Sequence, residues 1–165
     1  MTTDSRIRIA LESDLPRIVE IYNAAIPGRL ATADTDPVTV EARRSWFLAH
    51  TGRCPLWVWE EEAKIAAWLS LSPFYGRPAY DATQEVSVYV DPDARGRGLA
   101  SRLLEHALSA APGLGVTTFL GFIFSHNVPS LALFRKHGFV SWGELPEVAV
   151  LDGTLRSLSI LGRRL

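Results

Sequence analysis

Val88-Tyr89-Val90-Asp91-Pro92-Asp93-Ala94-Arg95-Gly96-Arg97-Gly98-Leu99-Ala100 is the stretch on which the fold turns. Gln84 to Val90 reads Gln-Glu-Val-Ser-Val-Tyr-Val, a β-rich run that stops at Asp91-Pro92. From Leu99 the apolar residues fall at Leu99, Leu103, Leu104, Ala107, Leu108 and Ala111, the spacing of an amphipathic helix that Pro112-Gly113 should end. Between strand and helix lies Arg95-Gly96-Arg97-Gly98. The unpaired N–H groups of the first helical turn point back at this loop, where the helix dipole favours an anion. Gly96 and Gly98 remove Cβ atoms, so backbone amides can approach a ligand closely and form an anion nest. Arg95 and Arg97 add positive charge. A pyrophosphate is the natural guest; a solvated turn is the plain alternative. The Walker pattern is excluded, because Leu99-Ala100 stands where it needs Lys-Ser or Lys-Thr. The dinucleotide fingerprint is excluded too, because no third Gly follows Gly98 at the required distance.

Outward from this stretch, Arg6 to Ala10 alternates and reads as a first strand. Ser13-Asp14 offers a helix N-cap, with Pro16 in the first turn and Ile18, Ile21, Tyr22 and Ala25 on one face. Residues 27–37 have loop composition, and Thr39 can cap a second helix carrying Val40, Trp46 and Phe47. Leu56–Glu60 and Lys64–Ser72 read as a hairpin with its turn near Glu61-Glu62, and a loop runs from Pro73 to Ala82. Val116–Phe124 is a continuous β-rich run suited to a strand covered on both faces. Pro129 opens a helix that Gly138 closes, and Phe139–Glu144 and Leu155–Leu161 supply two last strands. The order β-α-α-β-β-β-α-β-α-β-β predicts one α+β (mixed α/β) domain over residues 1–165 with a mixed sheet. Its strand–helix–strand unit at 84–124 makes those two strands parallel if they are neighbours.

Composition narrows the function. The chain has 165 residues, enough for one domain with a substantial core. Its formal net charge of −1 gives no basic footprint for nucleic acid, so an anion must be held by local geometry. Cys54 is the single cysteine, which excludes an internal disulfide and suggests a buried, inert thiol. The polar Met1–Arg6 lacks an apolar signal core, and no apolar run approaches the length of a membrane helix, so the expected location is the cytoplasm. His50, His106, His126 and His137 show no metal-ligand spacing, and no metal is expected. The tryptophans Trp46, Trp57, Trp59, Trp68 and Trp142 are expected in the core.

The loop resembles the cofactor motif of the GNAT acetyltransferase superfamily, Arg/Gln-x-x-Gly-x-Gly/Ala. It is read here as Arg95-Gly96-Arg97-Gly98-Leu99-Ala100 after a Val-x-Val-x-Pro strand end, Val88 to Pro92. Asn127, Ser130 and Gly138-Phe139 follow in the family's order. Phe74-Tyr75-Gly76-Arg77-Pro78-Ala79-Tyr80, then Glu85 to Val90, looks like the phosphinothricin N-acetyltransferase subgroup, as do Ser45-Trp46-Phe47 and Ala67-Trp68-Leu69-Ser70. The resemblance covers nearly the whole chain. It implies a splayed sheet of about seven strands, acetyl-CoA wedged between parallel strands four and five, and a homodimer. It also implies cofactor contacts from Val88, Tyr89, Val90, the loop 95–100, Asn127 and Ser130. Ala67 stands where the subgroup usually has Gly, and Ala100 where a last Gly is commoner. Phe134 occupies the position usually held by His, or by Tyr in many relatives, and a Phe cannot donate a proton.

An amine is mostly ammonium at neutral pH, so attack on a thioester needs a base. Strand alternation puts Glu85, Ser87 and Tyr89 on one face and Val86, Val88 and Val90 on the other. Glu85 is then either an edge carboxylate in water or the base, and the resemblance favours the base. Where strands splay, backbone N–H groups are left free; that of Val88 is the candidate for the oxyanion, and Val90 for pairing with the pantetheine arm. Asn127 serves equally as helix N-cap or as cofactor contact. Arg77, with a fork of donors suited to carboxylate or phosphinate, and Tyr80 precede the Glu85 strand and are candidate acceptor contacts; solvated loop residues are the alternative. Other acceptors (a peptide N-terminus, a polyamine, an aminoglycoside) and a silent acetyl-CoA-binding role remain open.

Overall fold

The computed structural model describes residues 4–165. The strands are β1 (Ser5–Ile9), β2 (Leu56–Glu61), β3 (Lys64–Pro73), β4 (Thr83–Val90), β5 (Thr118–Phe124), β6 (Val140–Leu151) and β7 (Thr154–Arg164). The helices are α1 (Leu15–Ala25), α2 (Val40–Leu48), α3 (Leu99–Leu114) and α4 (Val128–Lys136). They follow the order expected from the sequence and build one seven-stranded sheet, β1-β2-β3-β4-β5-β7-β6. Every neighbouring pair is antiparallel except β4–β5, which the α3 crossover makes parallel.

Alternation along β4 separates two cores. Val86 packs with Leu99, Leu103, Leu104 and Ala107 of α3 and with Phe134 of α4. Tyr89 packs on the other face with Tyr22 of α1, Trp46 of α2 and Trp68 of β3. Glu85 and Ser87 therefore share the α1/α2 face, and Val88 and Val90 the α3/α4 face.

The register positions the site. β4 pairs with β3 from Gln84 through Val90, but with β5 only at Thr83↔Thr118, Gln84↔Phe119 and Glu85↔Leu120. Beyond Glu85 the parallel strands part, and Val86 to Val90 have no partner on that side. Asp91 N–H donates to Ala66 O at 2.8 Å, on β3. Strand N–H groups two residues apart point the same way, so those of Ser87 and Tyr89 also face β3. Those of Val88 and Val90 face the gap.

Several details depart from the sequence expectation. α3 runs through Pro112-Gly113 to Leu114 and stops at Gly115, whose φ of 71° ends it with a bond from its N–H to Pro112 O at 3.1 Å. Pro112 lies in the last turn, where its missing N–H forfeits one helical bond, while continuation buries Ala111 and packs Leu114 on the core. β6 and β7 are longer than expected because β6 is the outermost strand, which tolerates Pro146 in a bulge between Leu145 and Ala149. The β2–β3 turn is centred on Glu62-Ala63, both at positive φ. Asp14 receives Leu11 N–H and two Arg8 donors instead of capping α1 through its side chain. Thr39 does cap α2, accepting from Ala42 N–H at 3.1 Å. Trp142 lies 47% exposed on the β6 edge, outside the core, and Cys54 is only half-buried.

Candidate active site

The Gly-rich turn leaves β4 through a short 3-10 segment, Pro92–Ala94, fixed by Asp91. The Asp91 carboxylate accepts from Asp93 N–H and pairs with Arg17 of α1. Gly96 and Gly98 have φ of 75° and 77°, left-handed backbone in which a side chain is strained. A Cβ at either would meet nothing within 4 Å, so both glycines border open space. Gly98 is the N-cap of α3 and brings no side-chain acceptor to the helix's first N–H groups. Those donors are left for a ligand.

A groove of about 560 Å³ opens over this turn. Of the residues expected at the cofactor, Val88, Tyr89, Val90, Arg95, Gly96, Gly98, Leu99, Ala100, Asn127 and Ser130 all line it. Arg97 does not: its guanidinium is held by both carboxylate oxygens of Glu61, at 2.6 and 2.8 Å. Ser101, Leu133 and Lys136 line the groove and were not singled out from sequence. The signal was there for the last two, since 130, 133 and 136 share one face of α4.

A second cavity, about 240 Å³, occupies the gap between β4 and β5. Its walls include Ser87, Val88 and Tyr89 from β4, Phe122 and Phe124 from β5, and Phe134 from α4. A strap, Leu30 to Ala33, closes one side of it and was legible only as loop. Asn127 Nδ2 donates to Leu30 O at 3.1 Å, and Tyr89 Oη to Ala31 O at 3.0 Å. His126 Nε2 lies 2.7 Å from Arg29 O, and Tyr22 Oη 2.5 Å from Thr32 Oγ1. Asn127 also caps α4, its Oδ1 accepting from Ser130 N–H at 3.3 Å. The N-cap reading of Asn127 is thus observed, and the same residue borders the groove.

Glu85 sits at the last paired position before the strands part. Its carboxylate is partly buried without a hydrogen-bond partner among the described residues, and desolvation pushes its pKa up. It lines neither cavity, standing below the gap on the α1/α2 face. Arg77 and Tyr80 are exposed in the β3–β4 loop and also lie outside both cavities. The loop reaches the gap through its aromatics: Tyr80 packs edge-on to Phe74 at 5.3 Å, and Phe74 stacks on Phe122 at 6.4 Å. Among the described residues no cluster of His, Cys, Asp and Glu is arranged to hold a metal, and no helix is long and apolar enough to cross a membrane.

A splayed parallel pair, donors free at the gap, and a glycine turn at a helix N-terminus are what a nucleotide-tailed thioester needs. The chain belongs to the Acetyltransferase (GNAT) family, whose profile matches residues 15–139. It is thereby an N-acyltransferase, of the acetyltransferase type. It is 52% identical over 160 residues to "Putative phosphinothricin acetyltransferase YwnH" of Bacillus subtilis (strain 168), a match covering 96% of this chain and 98% of that protein. It is 32% identical over 157 residues to the L-methionine sulfoximine/L-methionine sulfone acetyltransferase of Pseudomonas paraeruginosa (strain DSM 24068 / PA7), covering 94% and 91%. The crystal structure of a GNAT superfamily phosphinothricin acetyltransferase from Sinorhizobium meliloti in complex with AcCoA superposes with a TM-score of 0.91, at 28% identity over 98% of this chain and 88% of that one.

Proposed function

We propose that this enzyme transfers the acetyl group of acetyl-CoA to the primary amine of a small amino-acid-like acceptor of the phosphinothricin, methionine sulfone or methionine sulfoximine type. One observation carries the reading: β4 leaves β5 directly beyond Glu85, so the N–H groups of Val88 and Val90 face a gap that opens onto the glycine turn. In this reading the pyrophosphate rests on the turn and the N-terminus of α3, and the pantetheine arm runs along Val90. The thioester carbonyl then meets Val88 N–H.

Glu85 takes a proton from the acceptor ammonium, through water because it stands back from the cavities. The freed amine attacks the carbonyl carbon, and the oxyanion is stabilised by Val88 N–H. The C–S bond breaks, its electron pair leaves on sulfur, and the amide forms. Burial raises the basicity of Glu85, which supports it in this role, because a more basic carboxylate accepts a proton more readily. The names of the relatives support the acceptor class. Arg77 is the proposed partner for the acceptor's carboxylate or oxyacid end, with Tyr80 beside it.

A homodimer belongs to the same proposal. The β6–β7 hairpin exposes Val140, Trp142, Leu145, Val148, Val150 and Leu155, an apolar edge that a second copy would cover. A cytoplasmic location accords with the free Cys54. The test is thiol release from acetyl-CoA with methionine sulfone, methionine sulfoximine, phosphinothricin and a neutral alkylamine. Turnover confined to the first three supports the acceptor class. Activity on the alkylamine alone removes it and leaves the family assignment intact.

A further inference from the structure

The acetyl-CoA reading places the thioester where the groove and the gap meet. Six residues line both cavities: Leu30, Ala31, Val88, Tyr89, Asn127 and Ser130. When the C–S bond breaks there, negative charge collects on sulfur and needs a donor. Phe134 cannot supply one. Its ring is 3% exposed, crosses Phe139 edge-on at 4.9 Å, and carries no polar atom.

Three of these six residues carry polar side chains. Tyr89 Oη gives its hydrogen to Ala31 O. The Asn127 amide is fixed from both ends, accepting from Ser130 N–H and donating to Leu30 O. Ser130 takes part in that cap through its backbone N–H, and its hydroxyl makes no hydrogen bond with any described residue. It is one helical turn before Phe134 on the same face of α4. We infer that the Ser130 hydroxyl donates a hydrogen bond to the departing sulfur, filling on α4 the role that Phe134 leaves empty. The serine keeps its proton. Coenzyme A leaves as a hydrogen-bonded thiolate that is protonated by solvent, and the second proton of the attacking nitrogen passes to solvent water, because Glu85 already holds the first.

The inference rests on the acetyl-CoA reading, and its test separates the two. The thiol of bound coenzyme A is titrated by the ultraviolet absorbance of its thiolate, in the full-length wild type and in Ser130→Ala and Ser130→Thr. Loss of one hydrogen bond to an anion should raise the bound thiol's pKa in Ser130→Ala by about one unit. Ser130→Thr, which keeps the hydroxyl, should titrate like wild type. In steady state Ser130→Ala should lose roughly tenfold in kcat, with KM for acetyl-CoA within about threefold; one charge-assisted hydrogen bond is of that size. An unchanged thiol titration in Ser130→Ala overturns the inference whatever happens to the rate. A raised KM with unchanged kcat and titration makes Ser130 a cofactor contact only, which also overturns it. Failure of wild type to bind coenzyme A removes the acetyl-CoA reading itself. Equal melting temperatures for the three proteins exclude a folding effect.

Discussion

Gly121 lies at the middle of β5, where a Cβ would stand 2.8 Å from Phe134 Cε1 and 3.0 Å from its Cδ1. Real Cβ contacts are not that short, so in Gly121→Ala either the ring or the strand must move. The ring has little freedom, being 3% exposed and blocked by Phe139 at 4.9 Å. The strand is held by β7 along its length, with Gly121 opposite Leu161. Overpacking of this kind costs about 1–3 kcal/mol, and the lower chain entropy of the unfolded Ala variant offsets about 0.4–1 kcal/mol. The net loss should be about 1–2 kcal/mol, a fall in Tm of roughly 3–6 °C for a domain this size. The open side for the ring is the gap it already lines, so kcat/KM should fall as well. Thermal melts of Gly121→Ala, Phe134→Leu and the double variant form the decisive cycle. Leucine lacks the ring edge that clashes, so the double variant should be more stable than additivity predicts by about 1 kcal/mol. A Gly121→Ala melting within 1 °C of wild type, or a strictly additive pair, would refute this account of Phe134 as a wedge against β5.

Gly162→Ala makes a worse overlap on paper, 2.1 Å from Trp142 Cε3, yet Trp142 is 47% exposed and can swing into solvent. Its cost should stay within about 1 kcal/mol by chemical denaturation, unless dimerisation pins the ring. Gly98→Glu puts a carboxylate and a left-handed side chain where the pyrophosphate is proposed to sit. It should lose measurable coenzyme A binding by calorimetry while remaining folded, and intact affinity would count against the groove. Glu85→Gln should slow turnover by roughly 10²–10⁴-fold and flatten the acidic limb of the pH–rate profile. It should also melt higher than wild type at pH 7 but not at pH 4. Burial raises the folded-state pKa above the unfolded one, so the unfolded chain binds fewer protons between the two, and wild-type stability declines as pH rises through that window. Arg77→Lys keeps the charge without the planar fork, and should raise KM for methionine sulfone more than for a neutral alkylamine. Equal effects on the two amines would show that Arg77 does not read the acceptor.

How far the sequence could be read depends on which residues carry local signals. The Arg95–Ala100 turn was legible because glycines, a strand end and a helix start are all local features, and the structure places all of its residues except the Arg97 side chain around one groove. Arg97 was misleading because its partner, Glu61, is 36 positions away, and charge by itself does not say which carboxylate claims it. The same limit hid the strap. Leu30 to Ala33 carries no periodicity, and it is fixed by Tyr89 and Asn127, far along the chain, through its own carbonyls, which any residue type possesses. Helix ends failed differently: Pro112-Gly113 signals a stop, but burial of Ala111 and packing of Leu114 outweigh the single bond that Pro112 cannot make. Phe134 was visible from the start as a residue without a proton to give. Its reason appears only with Gly121 opposite, whose missing Cβ makes room for the ring. The pair explains how an aromatic without a hydroxyl fits this wall of the gap. It also moves the search for a sulfur donor one turn back along α4, to Ser130, whose hydroxyl makes no hydrogen bond with any described residue.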